Sequence, residues 1–353
     1  MASFPEAGKV DDEFFKTLIY PGLGANRQEV KVGPEYGVDV SVVKLPNGLA
    51  MAMTSDPLSL IPTLGLRESA WLSVQLMAND MATTGFSARY AQFVLNLPPW
   101  LKVRDFEIYW QHIHTFCEAS GIAITGGHTG QIEGQQSTIA GGGTMITVAP
   151  FDEILTSKGA NPGDVLIVTK ESAIISSSIL ALSFPKTVKD TCGAEVYQAA
   201  CDLFYETTSV EESLAAVEIG RHRQGVTAMH DVTEGGVLGA IHELSSASAC
   251  GVEVEVEKIP VGHAQQQVCG YFGIDPLFSV GAGALIMTAH PGKAASIVTH
   301  LQTKGMKAAI IGKMMEKDYG QYLLQGSSGK PLKHPGTDPY WKAFFLAFKK
   351  GLK

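Results

Sequence analysis

Segments with strand periodicity and segments with helix periodicity alternate along this chain in two series. A turn-rich run, Lys158 to Gly163 (KGANPG), separates them. That pattern limits the fold to two α/β or α+β domains, each with its own sheet and helices. The first series opens on VDVSVVKLPNGLAMAMTSD, residues 38 to 56, a β-hairpin turning at Asn47-Gly48. Trp71, Val74, Leu76, Met77 and Met81 then recur at helical spacing up to Gly85. A strand follows from Tyr90 to Leu97, and a helix over residues 103 to 120 carries Phe106, Tyr109, Ile113 and Phe116 on one face. Ile122 to Thr125 reads as a short strand running into a Gly126-Gly127-His128-Thr129-Gly130 loop, with a further strand near Thr144 to Val148. The second series starts with the apolar run Val165 to Thr169 and continues with helical patterns over 172 to 184, 194 to 206 and 210 to 222. Val226 to Met229, Val252 to Glu257, Ala284 to Thr288 and Ala308 to Ile311 supply its strands. A helix over 236 to 248 and another opening at Pro291 lie between them. The closing WKAFFLAFKK is an amphipathic helix packed on the body.

A length of 353 residues suits two domains of roughly 150 residues each. With 45% hydrophobic and 18% charged residues the chain can fill both cores. A formal net charge of -8 argues against a nucleic-acid or anionic-membrane partner. The five cysteines form no CxxC pair, which suits buried thiols in the cytoplasm rather than a disulfide framework or zinc ribbon. MASFPEAGKVDDEFF lacks the basic and apolar regions of an export leader, and no run approaches the roughly 20 apolar residues of a membrane span.

Four aspartates stand at the ends of elements, where each either solvates a strand or helix end or serves a ligand. Asp39 opens the first hairpin strand and Asp56 closes the second. A two-residue turn at Asn47-Gly48 makes Asp39 face Asp56, two like charges that repel unless a cation intervenes. A turn with a glycine bulge instead sets Asp56 opposite Val38, so the register stays open. Asp80 follows Asn79 late in an apolar helix, where the helix dipole disfavours a carboxylate. Asp231 ends a strand, and Thr233, Glu234 and Gly235 stand at the start of the next helix as candidate caps. A helix start offers free backbone N–H groups to phosphate, and an acid beside phosphate needs Mg²⁺ between them.

Other motifs exclude more than they suggest. There is no GxxxxGK[ST] phosphate loop, and Gly22-Leu23-Gly24 lacks the third glycine of a dinucleotide fingerprint. His112 and His114 do not share a face on the helix expected there, which disfavours a zinc pair. His128 is either a solvated loop histidine or a ligand contact. Gly141-Gly142-Gly143 marks a bulge or a close backbone approach.

Taken in order, GVDVSVV, TSDP, NDMATTG, GGHTG and MHDVTEGG resemble the AIR synthase (PurM-like) superfamily over about 35 to 335. The resemblance implies an α+β architecture of two domains, an ATP-binding one over 36–157 and a second over 158–335. A glycine-bearing segment, 1–35, precedes them and a C-terminal helix, 336–353, follows. It implies ATP and Mg²⁺ as cofactors, with Asp39, Asp56, Asp80 and Asp231 as metal and nucleotide acids. By the same resemblance Asn79, Gly126, Gly127, Thr129 and Thr233 belong to the nucleotide site, and Gly24 and Asn26 of PGLGANR to a segment covering phosphates. It also implies a homodimer formed through the N-terminal sheet, for which Val40, Val42, Met51 and Met53 of the hairpin offer apolar surface.

HDVTEGG is most similar to the hydrogenase-maturation dehydratases, which activate a carboxamide oxygen with ATP on a C-terminal cysteine of their own. Here the last cysteine is Cys269. The expected activity is therefore phosphorylation of a carboxamide-type oxygen on a small or protein-borne substrate from solution or a partner, with Asp231, Glu234 and His128 as catalytic candidates. A nucleotide-binding paralogue without turnover and a small-molecule kinase of the thiamine-phosphate kinase type are the rival readings.

Overall fold

The computed structural model describes residue 4 and residues 8–135, 139–326 and 328–353. Residues 1–3 and 5–7 of the stretch read above as leaderless lie outside the described residues. Two sheets divide the chain. The first has six strands: β1 (Val30–Val32), β2 (Ser41–Lys44), β3 (Leu49–Ser59), β4 (Tyr90–Leu97), β5 (Ala123–Gln131) and β6 (Ile139–Pro150). Their order is β1-β2-β3-β6-β4-β5, antiparallel except where β4 and β5 run parallel. The second has seven: β7 (Val165–Thr169), β8 (Val226–Asp231), β9 (Gly251–Glu255), β10 (Leu285–Ala289), β11 (Ala308–Met315), β12 (Gln321–Gln325) and β13 (Ser328–Pro331). These are ordered β13-β12-β9-β11-β7-β10-β8, with only β12 and β9 parallel.

How each sheet is covered explains how its strands read in the sequence. One face of the first sheet packs on the helices Leu66–Ala82 and Val103–Ala119, so Ala50 and Ala52 of β3 are buried while Met51 and Met53 are half-buried on the other face. The second sheet is covered on both faces. Leu166 and Val168 of β7 meet the helix Gly236–Ala247, and Ile167 between them meets Val217, Ile297 and Leu301. That double cover is why Val165 to Thr169 is apolar throughout. A third cluster, containing Leu72, Ile175, Phe184, Tyr340 and Phe344, packs the C-terminal helix Pro339–Lys349 against both domains. No helix among the described residues is long and apolar enough to cross a membrane.

The hairpin takes the bulged register. Ser41 pairs with Met53 and Lys44 with Ala50, so the partner numbers sum to 94 and Asp39 does not face Asp56. The reason is in the turn: Leu45 N–H donates to Leu49 C=O, enclosing Pro46, Asn47 and Gly48, and the last two hold φ of 61° and 75°. Asp39 precedes β2, and Asp56 lies inside β3, three residues before its end. Val40 and Val42 point into the core. GGHTG is not a loop: it continues β5, with an irregularity opposite Ala91 and Gln92. Gly141 and Gly143 lie within β6, where a Cβ would meet Val94 C=O and the Met77 side chain, so the close-approach reading describes them.

Candidate functional site

A cleft of about 800 Å³ lies between the two domains, lined at one end by Asp39, Asp56, Asp80, Thr233, Glu234 and Glu243. Each acid arrives on a different element. Asp80 lies in the last turn of Leu66–Ala82, where Thr54 Oγ1 of β3 donates to its carboxylate at 2.7 Å. Asp231 is the final residue of β8; it is buried, and its Oδ2 has no hydrogen-bond partner among the described residues. Asp39 approaches it from the N-terminal domain, an Asp39 oxygen, an Asp231 oxygen and a His230 nitrogen lying within 4.8 Å of one another.

Crowding and burial hold Asp56, Asp80 and Asp231 toward their neutral forms. Burial, with Lys9 opposing it and Glu234 adding to it, pushes Asp56 up to about 6. Burial and the Asp39 charge push Asp231 up to about 7 against the opposing His230 and Lys9. Asp80 lies well above the usual carboxylate range through burial and the charges of Asp231, Asp56 and Asp39. Such a set favours a cation.

Two cations of the chain itself answer it in part. His230 Nδ1 is 2.6 Å from Asp39 Oδ1 and its Nε2 is 3.0 Å from Glu243 Oε2. Burial opposes charge on this imidazole, but Asp39 and Glu243 outweigh it and raise the pKa well above that of a free histidine. With both ring nitrogens engaged, His230 orients Asp39 and is not available as a metal ligand. His334 Nε2 adds a contact at 3.5 Å to the other Glu243 oxygen. The second cation is Lys9, whose Nζ donates to Thr233 Oγ1 at 3.0 Å and whose backbone N–H donates to Glu234 Oε2 at 2.9 Å. It stands in the open mouth of the cleft; burial opposes its charge, but Glu243, Asp231, Asp56 and Asp80 hold its pKa above the ordinary value.

Several expected site residues lie elsewhere in the single chain. Gly126, Gly127, His128 and Thr129 are exposed on the edge strand β5, outside the cleft lining. Gly24 and Asn26 are exposed and line no part of it; the N-terminal segment enters the cleft through Lys9, Val10 and Phe15 instead. Asn79 is buried beside the cleft, where its Nδ2 donates to Thr207 C=O and its Oδ1 accepts from Ser209 N–H, joining the two domains. Thr233 and Glu234 line the cleft but do not cap the next helix. The first N–H groups of that helix are mostly spent within the chain: Gly235 N–H on Asp338, Gly236 N–H on Thr233 C=O and Leu238 N–H on Leu277 C=O. Gly236, at φ 64°, leaves no room for a side chain, since a Cβ there would meet Leu277 C=O at 2.6 Å.

Lys9, His230 and Glu243 escaped the sequence reading. Glu243 left a trace, a lone carboxylate among Leu238, Ala240, Ile241 and Leu244, which demands a buried partner. Lys9 left none, because no periodic pattern surrounds it.

The fold and the site define an α/β protein of two domains with a carboxylate-rich cleft between them. Residues 37–149 match the N-terminal domain of AIR synthase related proteins and residues 161–324 match the C-terminal domain of the same family. The chain belongs to that family. It is 26% identical to carbamoyl dehydratase HypE of Rhizobium leguminosarum bv. viciae over 298 residues, covering 82% of this chain and 79% of that one. It is 28% identical to selenide, water dikinase of Methanococcus maripaludis over 312 residues, covering 83% and 88%. Among solved structures, the HypE-HypF complex matches with a TM-score of 0.71 at 17% identity, covering 91% of this chain and 99% of that one. Hydrogenase maturation protein HypE in complex with ATP matches with a TM-score of 0.68 at 17% identity, covering 95% and 97%.

Proposed function

We propose that this chain is a Mg²⁺-dependent, ATP-using enzyme that transfers the γ-phosphoryl group to a carboxamide-type oxygen of a small or protein-borne substrate. The observation that carries the reading is the convergence of four aspartates from both domains: Asp39, Asp56 and Asp80 line one cleft, and Asp231, buried beside it, lies close to Asp39 and adds to the charges that raise the Asp80 pKa. The relatives lend support, being named for carbamoyl dehydration and for a dikinase reaction. Oxygen-only carboxylates suit Mg²⁺, and the unpartnered Oδ2 of Asp231 is a vacant donor of the right kind. Bound there with ATP, the ion would neutralise phosphate charge. The protein's own part is to hold the geometry: His230 fixes Asp39, Thr54 fixes Asp80, and Glu234 is placed to take a proton at the cleft mouth.

Heat unfolding with Mg²⁺, with ATP and with both tests the reading; the pair together should stabilise the protein more than either alone. Failure of Mg-ATP to bind in calorimetry sinks it. The raised acids also set a pH dependence. Mg²⁺ binding must displace protons from Asp56, near 6, and Asp231, near 7, so affinity should rise with pH by about 100-fold between pH 5.5 and 7.5. Titrations in two buffers of different ionisation enthalpy should show proton release; a flat profile removes these two acids from the metal site. The rival reading, a nucleotide binder without turnover, draws on Lys9, which stands among the acids where a metal would be needed.

The outer face of the first sheet supports a homodimer. Val43, Met51, Met53, Ile146, Val148 and Tyr90 adjoin across β2, β3, β6 and β4, and among the described residues they are left half-buried or exposed. Val40 and Val42 take no part, being buried in the core. Replacing Met53 with lysine should turn a dimer into a monomer in sedimentation at micromolar concentration. A wild-type monomer under those conditions would refute the dimer.

A further inference from the structure

The cleft has a second, apolar lobe that nothing in the phosphoryl chemistry requires. On the helix Leu66–Ala82, Asp80, Leu76 and Leu72 share one face and all line the cleft, so the wall turns from carboxylate to hydrocarbon about 6 Å from Asp80 and stays so for about 6 Å more. Ile175 and Ile179 of the helix Ile174–Ser183 line the same lobe from the other domain, and Phe344 and Phe345 from the C-terminal helix. Its serine run does not soften it: Ser176, Ser177 and Ser178 donate back to the carbonyls of Ala173 and Ile174. At the border stands Trp341, whose ring stacks on Phe345 at 6.1 Å. Its Nε1–H has no acceptor among the described residues, and it lies against Gly8, beside the Glu234 carboxylate.

We infer that this lobe holds the body of the phosphoryl acceptor, and that the acceptor is a small molecule with a carboxamide head and a hydrocarbon or aryl tail. The inference rests on the phosphoryl-transfer reading above and adds the class of substrate. The cleft, at about 800 Å³, falls near the top of the range of small-molecule sites, roughly 300–1,000 Å³, and has room for a second ligand beside a nucleotide. Adenine fits the lobe poorly, because its N1 and N6 edge would be buried against Leu72, Leu76, Ile175 and Ile179, which offer it no partner. A carboxamide head needs little: its own N–H groups can donate to the carboxylates that border the lobe. In the step, the carboxamide oxygen bonds to Pγ as the Pγ–O bond to ADP breaks. ADP leaves with the bonding pair, and the amide nitrogen's proton passes to Glu234, leaving an O-phosphorylated imidate.

Acetamide, hexanamide and 3-phenylpropanamide are the probes, titrated by calorimetry against the full chain with Mg²⁺ and the non-hydrolysable analogue of ATP. Each buried methylene is worth roughly a fourfold gain in affinity, so hexanamide should bind at least about 30-fold more tightly than acetamide. Phe345→Ser, at a side chain that is 41% exposed, should fold normally and weaken hexanamide about tenfold while Mg-ATP affinity changes less than twofold. With ATP itself, hexanamide should raise ADP release above the rate without it. Equal affinity for acetamide and hexanamide overturns the assignment. So does a Phe345→Ser variant that loses Mg-ATP and keeps hexanamide, since the lobe would then hold the nucleoside. Binding of hexanamide by a protein that never binds Mg-ATP would instead overturn the phosphoryl-transfer reading and leave the ligand class standing.

Discussion

Replacing Asp80 with asparagine should make the ligand-free protein more stable at alkaline pH and remove most of the stabilisation conferred by Mg-ATP. The two effects share one cause. Burial and the charges of Asp231, Asp56 and Asp39 hold the Asp80 pKa well above its ordinary value. An acid with a raised folded pKa contributes stability that is present below its unfolded pKa and lost as pH rises through the folded one. Asparagine, neutral throughout, escapes that loss and still accepts the hydrogen bond from Thr54 Oγ1. Cation binding runs the other way, because it needs the charge that asparagine lacks. At a ligand concentration 100 times the dissociation constant, the parent gains about 2.7 kcal/mol, and the variant should gain less than about 1 kcal/mol. Denaturant melts at pH 8.5, with and without Mg-ATP, measure both terms. Asp39→Asn should lose the ligand gain as well, but without the gain in ligand-free stability, since Asp39 is paired with His230. If Asp80→Asn and Asp39→Asn both bind Mg-ATP as the parent does, the acids do not hold the ion.

The largest loss of stability is expected from His230→Leu. The Asp39, His230 and Glu243 side chains are only 6%, 3% and 7% exposed, and the imidazolium is the shared partner of two carboxylates. Removing one member of a buried ion pair leaves uncompensated charge and costs about 3–5 kcal/mol. Glu243 bears on the sign. Burial opposes its ionisation, and His230, with His334 and Lys9, holds its pKa well below the ordinary value, so removing His230 leaves a buried carboxylate with less to offset its charge. A cycle with Glu243→Gln should therefore be strongly non-additive, the double variant losing much less than the two single losses together. Chemical denaturation of the four proteins at pH 7.5 gives the coupling. Additive losses would show that His230 contributes packing and no charge pairing. Because Asp39 comes from the first domain and His230 from the second, a cycle of His230→Leu with Asp39→Asn reports instead on how firmly the two domains are held across the cleft.

Much of the architecture was legible in residue order because it is decided locally. Val165 to Thr169 was legible as a short apolar run of strand length, Leu66–Ala82 and Val103–Ala119 show their apolar faces at helical spacing, and KGANPG falls between the two sheets. The acids were legible only in part: Asp80 at the negative end of a helix dipole stood out, and the grouping of the four came from the family resemblance.

What residue order left open depended on geometry set at a distance. The hairpin register hung on whether the turn enclosed two residues or three, a choice made by the φ angles of Asn47 and Gly48 that both readings of the sequence allow. GGHTG looked like a loop because glycine carries no strand signal, and pairing with β4 made it a strand. Sequence by itself determined two α/β halves, their order and the misplaced Asp80, because backbone preference and apolar periodicity act within a few residues. Only the tertiary structure brought Asp39 to His230, Lys9 to Glu234 and Leu72 to Phe344, since a buried charge or an apolar wall finds its partner in space, across chain separations on which local preference has no bearing.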